Sequence, residues 1–375
     1  MKKTKVPFGD PDIRSEDYIR MNKAIKSGWL THGPNNKLLE NLFCKFTKAK
    51  YSTTVSNCTS GLHLSCLALN LKKGDEVIVP AQTHVATAHA AELTGAKIVF
   101  VDVDKLTGNI TLEEIKKKVN KRTKCIMTVH MSGYPCEMGE IVNFCKRKKI
   151  FIIEDCAHGL GSKIKNKHVG NFGICGVFSF YPTKQITCGE GGVVISNDKS
   201  FINRIKIMKA IGVNTPPELR KKPGIYDVTS VGLNYRLTDF QAALAVGQMK
   251  RYPSNLLKRK KNVKEYMQLL SKNKKILFQE YKKEHSYFIF QIFLKNKKTR
   301  DNLMSDLKKN NIGSSIHYAT SVPFMSYYKK KYKIHNSSFT NAKLYGENSI
   351  SLPVHQKITR SMIKKVCEYI NKKII

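Results

Sequence analysis

Four short apolar runs, at 76–80, 97–102, 125–129 and 151–155, recur through the first half of the chain. Each has the length and the Val/Ile content of a buried strand. Between them lie segments of helical character. One opens with Thr111-Leu112-Glu113-Glu114, a capping box in which a hydroxyl and a carboxylate satisfy the first free amides of a helix. Strands that alternate with helices are joined by crossovers, and these serve parallel neighbours. The pattern predicts an α/β fold, with a mostly parallel central sheet flanked by helices. An apolar helix is expected over 62–71, a lysine-rich helix from near Leu256, and a strand over 287–294 in a smaller α+β domain. The chain has 375 residues, enough for two domains. The division is expected near residue 250, giving a large domain 1–250 and a small domain 251–375. No internal repeat is evident.

One window stands out from the rest. The chain is 25% charged, yet residues 174–195 carry only Lys184 and Glu190, against roughly five charges at the base rate. A lysine alone in apolar, glycine-rich surroundings is a candidate for a depressed pKa. Its neutral amine can form a Schiff base with a carbonyl, including the aldehyde of pyridoxal phosphate. The alternative is an ordinary lysine leaving a strand end with its head in water. The run Phe151-Ile152-Ile153-Glu154-Asp155 bears on that choice. In open α/β sheets ligands lie beyond the carboxyl ends of the strands, which is where Asp155 falls. A carboxylate there suits the pyridinium nitrogen of such a cofactor, because it keeps the ring an electron sink. The competing role for Asp155 is a helix N-cap.

Several ordered motifs resemble the DegT/DnrJ/EryC1/StrS group of nucleotide-sugar aminotransferases, which have the fold type I architecture of aspartate aminotransferase. They are Ser27 to Pro34, Ser56-Asn57-Cys58-Thr59-Ser60-Gly61, Glu154-Asp155-Cys156-Ala157-His158, Ser179 to Gly192, Gly232 to Ala243 and Ser351-Leu352-Pro353. The resemblance runs over nearly the whole chain. It implies pyridoxal 5'-phosphate as cofactor, with Lys184 as its covalent anchor and proton shuttle and Asp155 on the ring nitrogen. It places the phosphate on Thr59, Ser60 and Ser179, at a turn suited to anions because helix-start amides point outward. Cys58 stands where the family usually has glycine. His84 takes the position of the ring-stacking residue, where most relatives carry a larger aromatic. His158 falls near the phenolic oxygen. Asn234 is expected to reach the phosphate of a second chain in a homodimer with shared sites. Trp29, Thr31, His317 and Tyr318 are the candidate sugar contacts. The implied reaction is ping-pong transfer of an amino group, with glutamate as donor, to a nucleotide-linked keto-deoxy sugar at C4, in amino-sugar and surface-glycan biosynthesis.

Composition bears on the rival classes. Hydrophobic residues make up 41% and no run of 18 apolar residues occurs, so a globular protein without a membrane-spanning helix is expected. The start, Met1-Lys2-Lys3-Thr4-Lys5-Val6-Pro7, is basic but has no apolar segment after it, unlike a signal peptide. Ten cysteines without a Cys-x-x-Cys pair suggest free thiols in a reducing cytoplasm and no zinc or other metal site. Lys and Arg number 66 against 28 Asp and Glu, an attractive field for phosphate. The clusters at 116–118, 258–261 and 329–331 are not interleaved with base-stacking aromatics. A solvated basic surface is therefore expected, with no specific nucleic-acid partner. Related sugar dehydratases carry histidine where this chain keeps Lys184. A nucleic-acid-binding relic of the fold is the remaining alternative.

Overall fold

The computed structural model describes residues 5–215, 222 and 224–374, so the first four residues of the basic N-terminal stretch lie outside it. Its main sheet is built from β1 (Tyr51–Val55), β2 (Glu76–Pro80), β3 (Lys97–Val101), β4 (Thr123–Val129) and β5 (Phe151–Asp155). A small hairpin, β6 (Lys163–Ile164) and β7 (Lys167–His168), precedes the last two sheet strands, β8 (Cys175–Ser179) and β9 (Gly192–Ser196). The order is β1-β9-β8-β5-β4-β2-β3. β3, β2, β4, β5 and β8 are mutually parallel, and β9 pairs antiparallel with both β8 and β1, so β9 alone runs against the rest.

Side chains alternate between the faces of a strand, and both faces of this sheet are covered. Val77, Val79, Cys125, Met127, Ile153 and Val177 pack on one side. That side carries α3 (Cys58–Ala68), α4 (Val85–Glu92) and α7 (Lys199–Met208), which supply Leu62, Leu64, Ala88, Ala91, Phe201 and Ile205. Ile78, Ile126 and Ile152 face α5 (Leu112–Lys118) and α6 (Met138–Lys148) on the other side. There too, Phe178, Val193 and Ile195 meet α2 (Pro34–Thr47) and the first half of α8 (Asp239–Leu270). α1 (Ser15–Lys26) lies against α8. Asp17 of α1 is buried and pairs with Arg251 of α8 at 2.5 Å.

α8 runs unbroken through residue 250 and joins two cores. Ala242, Ala245, Val246, Met249 and Tyr252 belong to the large-sheet core, whereas Val263, Tyr266 and Leu270 belong to a second core. That core is built on β10 (Leu277–Phe278), β11 (Phe290–Phe293) and β12 (Ser349–Leu352), with α9 (Lys297–Lys309) and α12 (Arg360–Lys373). Between α9 and β12 come α10 (Ser326–Lys331) and α11 (Thr340–Asn348). Val6 is fully buried in this second core, and its backbone bonds to Asn311 and Gly313. The first described residues are thus part of the last-built layer.

Several local expectations are revised; the helix expected from near Leu256 is the second half of α8, which starts at Asp239. The strand expected over 287–294 begins only at Phe290, because Tyr287 has φ 50° and the carbonyls of Tyr287 and Phe288 turn toward the buried Arg259 guanidinium. The helix expected over 62–71 starts at Cys58, because Asn57 caps it by accepting from Ser60 N at 2.8 Å. Thr59, Ser60 and Gly61 therefore form its first turn.

Candidate active site

Asp155 ends β5 and Ser179 ends the adjacent β8, so both sit at the carboxyl edge of the sheet. Neighbouring residues of one strand face opposite ways, which separates Glu154 from Asp155. Glu154 is fully buried and accepts from Gly170 N, Phe172 N and Gly173 N at 2.6–2.7 Å. His130 Nδ1 accepts from Cys136 N, which leaves Nε2–H to donate to Glu154 at 3.0 Å. Cys156 lies close by, but the ligand atoms of His130 and Glu154 are committed to these bonds. Glu154→Gln would point amide hydrogens at amide donors. It should cost roughly 3 kcal/mol of stability, in the range for breaking a buried charged network, and appear as a lower Tm with the cofactor absorbance of the folded fraction unchanged.

Asp155 faces the other way, toward α4. It is 4% exposed and accepts from Thr87 Oγ1 at 2.8 Å and from Ala157 N at 3.0 Å. Thr87 in turn bonds Thr83 at 2.7 Å. Among the described residues no cation lies within ion-pair distance of this carboxylate. Buried charges are normally paired, so the site is short of one positive group, which a protonated ring nitrogen would supply.

Lys184 lies in the connection between β8 and β9. Gln185 ties that connection to the carbonyl of His158 at 3.1 Å, and Gln248 clamps Thr187 through bonds of 3.0 and 2.6 Å. Loss of water around the amine pushes the pKa of Lys184 down to about 8, against the pull of the Asp155 carboxylate. About a tenth of the free amine is then neutral at pH 7, against under a thousandth for an ordinary lysine. The amine sits 4.6 Å from the centre of the Phe288 ring. Phe288 also stacks on His158 at 4.2 Å and 18°.

His158 is 3% exposed, and its Nδ1 accepts from Ser132 N. Its Nε2 faces the Tyr318 hydroxyl at 3.3 Å. Burial, then the nearby Lys184 charge, pushes His158 well below the usual histidine range. His317 is pushed down to about 3 by burial and packs edge-on against both His158 and Phe288. The ring of Tyr318 lies 5.4 Å from that of His84, which caps α4 through Ala86 N. Asp155, His158, Lys184, His84, His317 and Tyr318 thus converge, joined by Thr87 and Phe288.

The start of α3 forms the next wall. Ser60 is buried and bonds Ser56 at 2.9 Å, and Thr59 is partly exposed. Helix-start amides at Cys58 and Thr59 have no partner within the helix. Gly192 pairs with Ser179, and a Cβ on Gly192 would lie 2.9 Å from Asn57 C and 3.0 Å from Cys58 N. The glycine is what lets the start of β9, with Ser179 paired to it, come close to this helix start. Amides and hydroxyls with no carboxylate among them suit a phosphate.

Trp29, Thr31 and Asn234 stand apart from this cluster within one chain. Trp29 is 48% exposed and Thr31 bridges Thr238 ahead of α8. Asn234 is exposed and pairs with Ala210. Its neighbour Tyr235 accepts from Ser56 N at 2.8 Å, which brings the loop close to the start of α3. Sequence reasoning overlooked Thr87 and Phe288. The Thr83/Thr87 spacing of four on a helix start was a usable signal. Nothing in the sequence marks Phe288, whose role comes from the second core folding over the first.

The sequence profile of the DegT/DnrJ/EryC1/StrS aminotransferase family matches residues 11–371. GDP-perosamine synthase of Escherichia coli O157:H7 is 34% identical over 372 residues, 98% of each chain. PseC of Helicobacter pylori, described as an aminotransferase of pseudoaminic acid biosynthesis, superposes with a TM-score of 0.90 at 26% identity over 99% of both chains. A Streptococcus pneumoniae protein solved in PMP form superposes with a TM-score of 0.91 at 26% identity, over 99% of this chain and 98% of that one.

Proposed function

Since the chain belongs to the DegT/DnrJ/EryC1/StrS aminotransferase family, and is accordingly a pyridoxal-phosphate-dependent transaminase, we propose that it aminates a keto-deoxy sugar carried on a nucleotide, at C4, with glutamate as donor. The observation that carries this reading is the convergence, at the sheet edge, of a low-pKa Lys184 and a buried Asp155 that has no ion-pair partner within 4 Å among the described residues, in a chain whose relatives act on sugars. The cofactor supplies an electron sink for the carbon that gains or loses the amine. Asp155 holds the proton on its ring nitrogen. Lys184 Nζ would hold it as a Schiff-base partner and, when free, would take and return the proton of the reacting carbon. Thr59, Ser60 and Ser179 bind the phosphate. His84, with Tyr318 beside it, would cover the ring, and His158, kept neutral by burial, would border the phenolic oxygen. Phe288 keeps water from the Lys184 amine. The test incubates purified protein and glutamate with a panel of nucleotide keto sugars and reads the amino sugar by mass spectrometry. Conversion of glutamate without amination of any sugar would remove the sugar from this reading.

A homodimer with shared sites fits the surface. Trp29 and Leu30 are each 48% exposed, Ile225 is 66% and Val231 is 91% exposed, a load of apolar area that a second copy would cover. Asn234 lies in the same loop region as Val231. If it serves the partner's site, mixing Lys184→Ala chains with Asn234→Ala chains gives mixed dimers with one intact site each. Random exchange makes about half the dimers mixed, so roughly a quarter of all sites should regain activity. Given that Asn234→Ala is itself strongly impaired, absence of rescue would assign Asn234 to its own chain's site. The reducing cytoplasm is the proposed location, since all ten cysteines are unpaired and nine of them are buried. Among the described residues no helix is long and apolar enough to cross a membrane.

A further inference from the structure

His158 is pinned at its main chain. Its carbonyl accepts from Gln185 Nε2 at 3.1 Å and from Ser286 Oγ at 3.0 Å. The neutral ring still has two tautomers, and the hydrogen bond made by one nitrogen decides which nitrogen carries the proton. Ser132 N donates to Nδ1 at 3.3 Å. A backbone amide can only donate, so Nδ1 presents its lone pair. Burial keeps the ring neutral, and its single proton therefore lies on Nε2. That nitrogen faces the Tyr318 hydroxyl at 3.3 Å, on the side of the ring turned to the site.

The amide that makes this choice is held from a distance. Ser132 has φ 59° and ψ 7°, a left-handed conformation that costs energy in any residue with a Cβ. Its hydroxyl donates to Gln291 Oε1, and the Tyr345 hydroxyl donates to the same oxygen. All three residues are buried, where such bonds are strengthened by the low local dielectric. Gln291 lies in β11 of the second core, 159 residues along the chain from Ser132. Its register partner on β12 is Ser351, whose hydroxyl meets His317 Nδ1 at 3.0 Å. One face of the small sheet thus reaches two histidines of the site. Gln291 Nε2 has no partner among the described residues. A buried amide with one idle end lowers stability, which points to a use for the other end.

We propose that Gln291 is a positioning residue: by holding Ser132 in its left-handed turn it keeps His158 in the Nε2–H form, with that proton directed at the phenolic oxygen of the cofactor. The direction of the proton rests on the proposed place of the cofactor, whereas the tautomer does not. The full-length protein is labelled with ¹⁵N-histidine and read by NMR before and after addition of pyridoxamine phosphate, with His158→Gln identifying the His158 signals. The unaltered protein should show Nδ1 bare and Nε2 protonated. Gln291→Met keeps the length of the side chain, removes the oxygen and should bring the two tautomers to comparable populations. Ser132→Ala should do the same. Ser132→Gly loses the same hydroxyl but adopts positive φ freely, and it should keep the unaltered pattern. A mere loss of packing would make glycine the worse of the two. Pyridoxamine phosphate, followed by its own fluorescence, should bind about tenfold more weakly to Gln291→Met and Ser132→Ala, the scale of one charge-assisted hydrogen bond. Its affinity for Ser132→Gly should stay within twofold of the unaltered value. A bare Nδ1 that survives both Gln291→Met and Ser132→Ala overturns the positioning role, as does a protonated Nδ1 in the unaltered protein. Tautomers that shift as expected, with cofactor affinity unchanged, uphold the positioning role and overturn the contact of His158 with the phenolic oxygen.

Discussion

Lys184→Ala should lower turnover on the order of 10⁵–10⁶-fold, the scale on which removal of a covalent catalyst acts. Borohydride should fix the cofactor to the peptide that contains Lys184 in the unaltered protein and to no peptide in the variant. The expectation rests on the pKa of about 8 that desolvation gives this amine and on its place in the Asp155 cluster. Lys209 is the rival, since burial lowers its pKa as well. But its amine donates to the Thr54 carbonyl at 2.7 Å and lies 3.8 Å from Glu40, so it is already engaged on the far side of β1. A reduced adduct on Lys209, or on any lysine but 184, would overturn the assignment.

Asp155→Asn should cost on the order of 10³-fold in turnover, about 4 kcal/mol, comparable with removal of a principal electrostatic group from an active site. The amide keeps the size of the side chain, and its one carbonyl oxygen can still accept from Ala157 N while its NH2 turns to donate to Thr87 Oγ1. It cannot hold a proton on a neighbouring ring nitrogen, because it carries no charge. The change therefore separates the two roles that the geometry offers. As a cap, Asp155 needs only an acceptor for Ala157 N at 3.0 Å, and asparagine supplies one. As a counter-ion it needs the carboxylate. Turnover within a few-fold of the unaltered protein would leave only the cap, and an intact Tm alongside the thousandfold loss would exclude a folding defect.

The sheet was legible because its strands are buried on both faces and so read as continuous apolar runs. β2 and β5 match the expected runs at both ends. Thr111 caps α5 through Glu114 N as its sequence announces. β3 stops one residue short of the expected end, because Asp102 turns to accept from Asn341 N and Ala342 N at the start of α11. That cap joins residues more than two hundred apart, and no local pattern carries it. The same division runs through the site. Lys184, Asp155 and the Thr59-Ser60 turn announce themselves by local chemistry. The Phe288 contact to Lys184 and the Gln248 clamp on Thr187 exist only after distant elements meet. The carboxylate of Glu154, adjacent to Asp155 and equally acidic in sequence, was sorted from it only by which face of β5 each occupies.

The burial of Val6 among residues of the second core has a consequence for the order of biosynthesis. Asn311 and Gly313, whose backbones bond Val6, leave the ribosome some three hundred residues after it. At roughly 5–20 residues per second that is a wait of about 15–60 s. Through this interval the large sheet can assemble while Val6 and the segment after it stay undocked, with the Val6 side chain still in water. Its seating waits on the emergence of Asn311 and Gly313. A protease pulse applied to stalled nascent chains should cut near Val6 in those that stop before residue 311 and spare those that extend past 374.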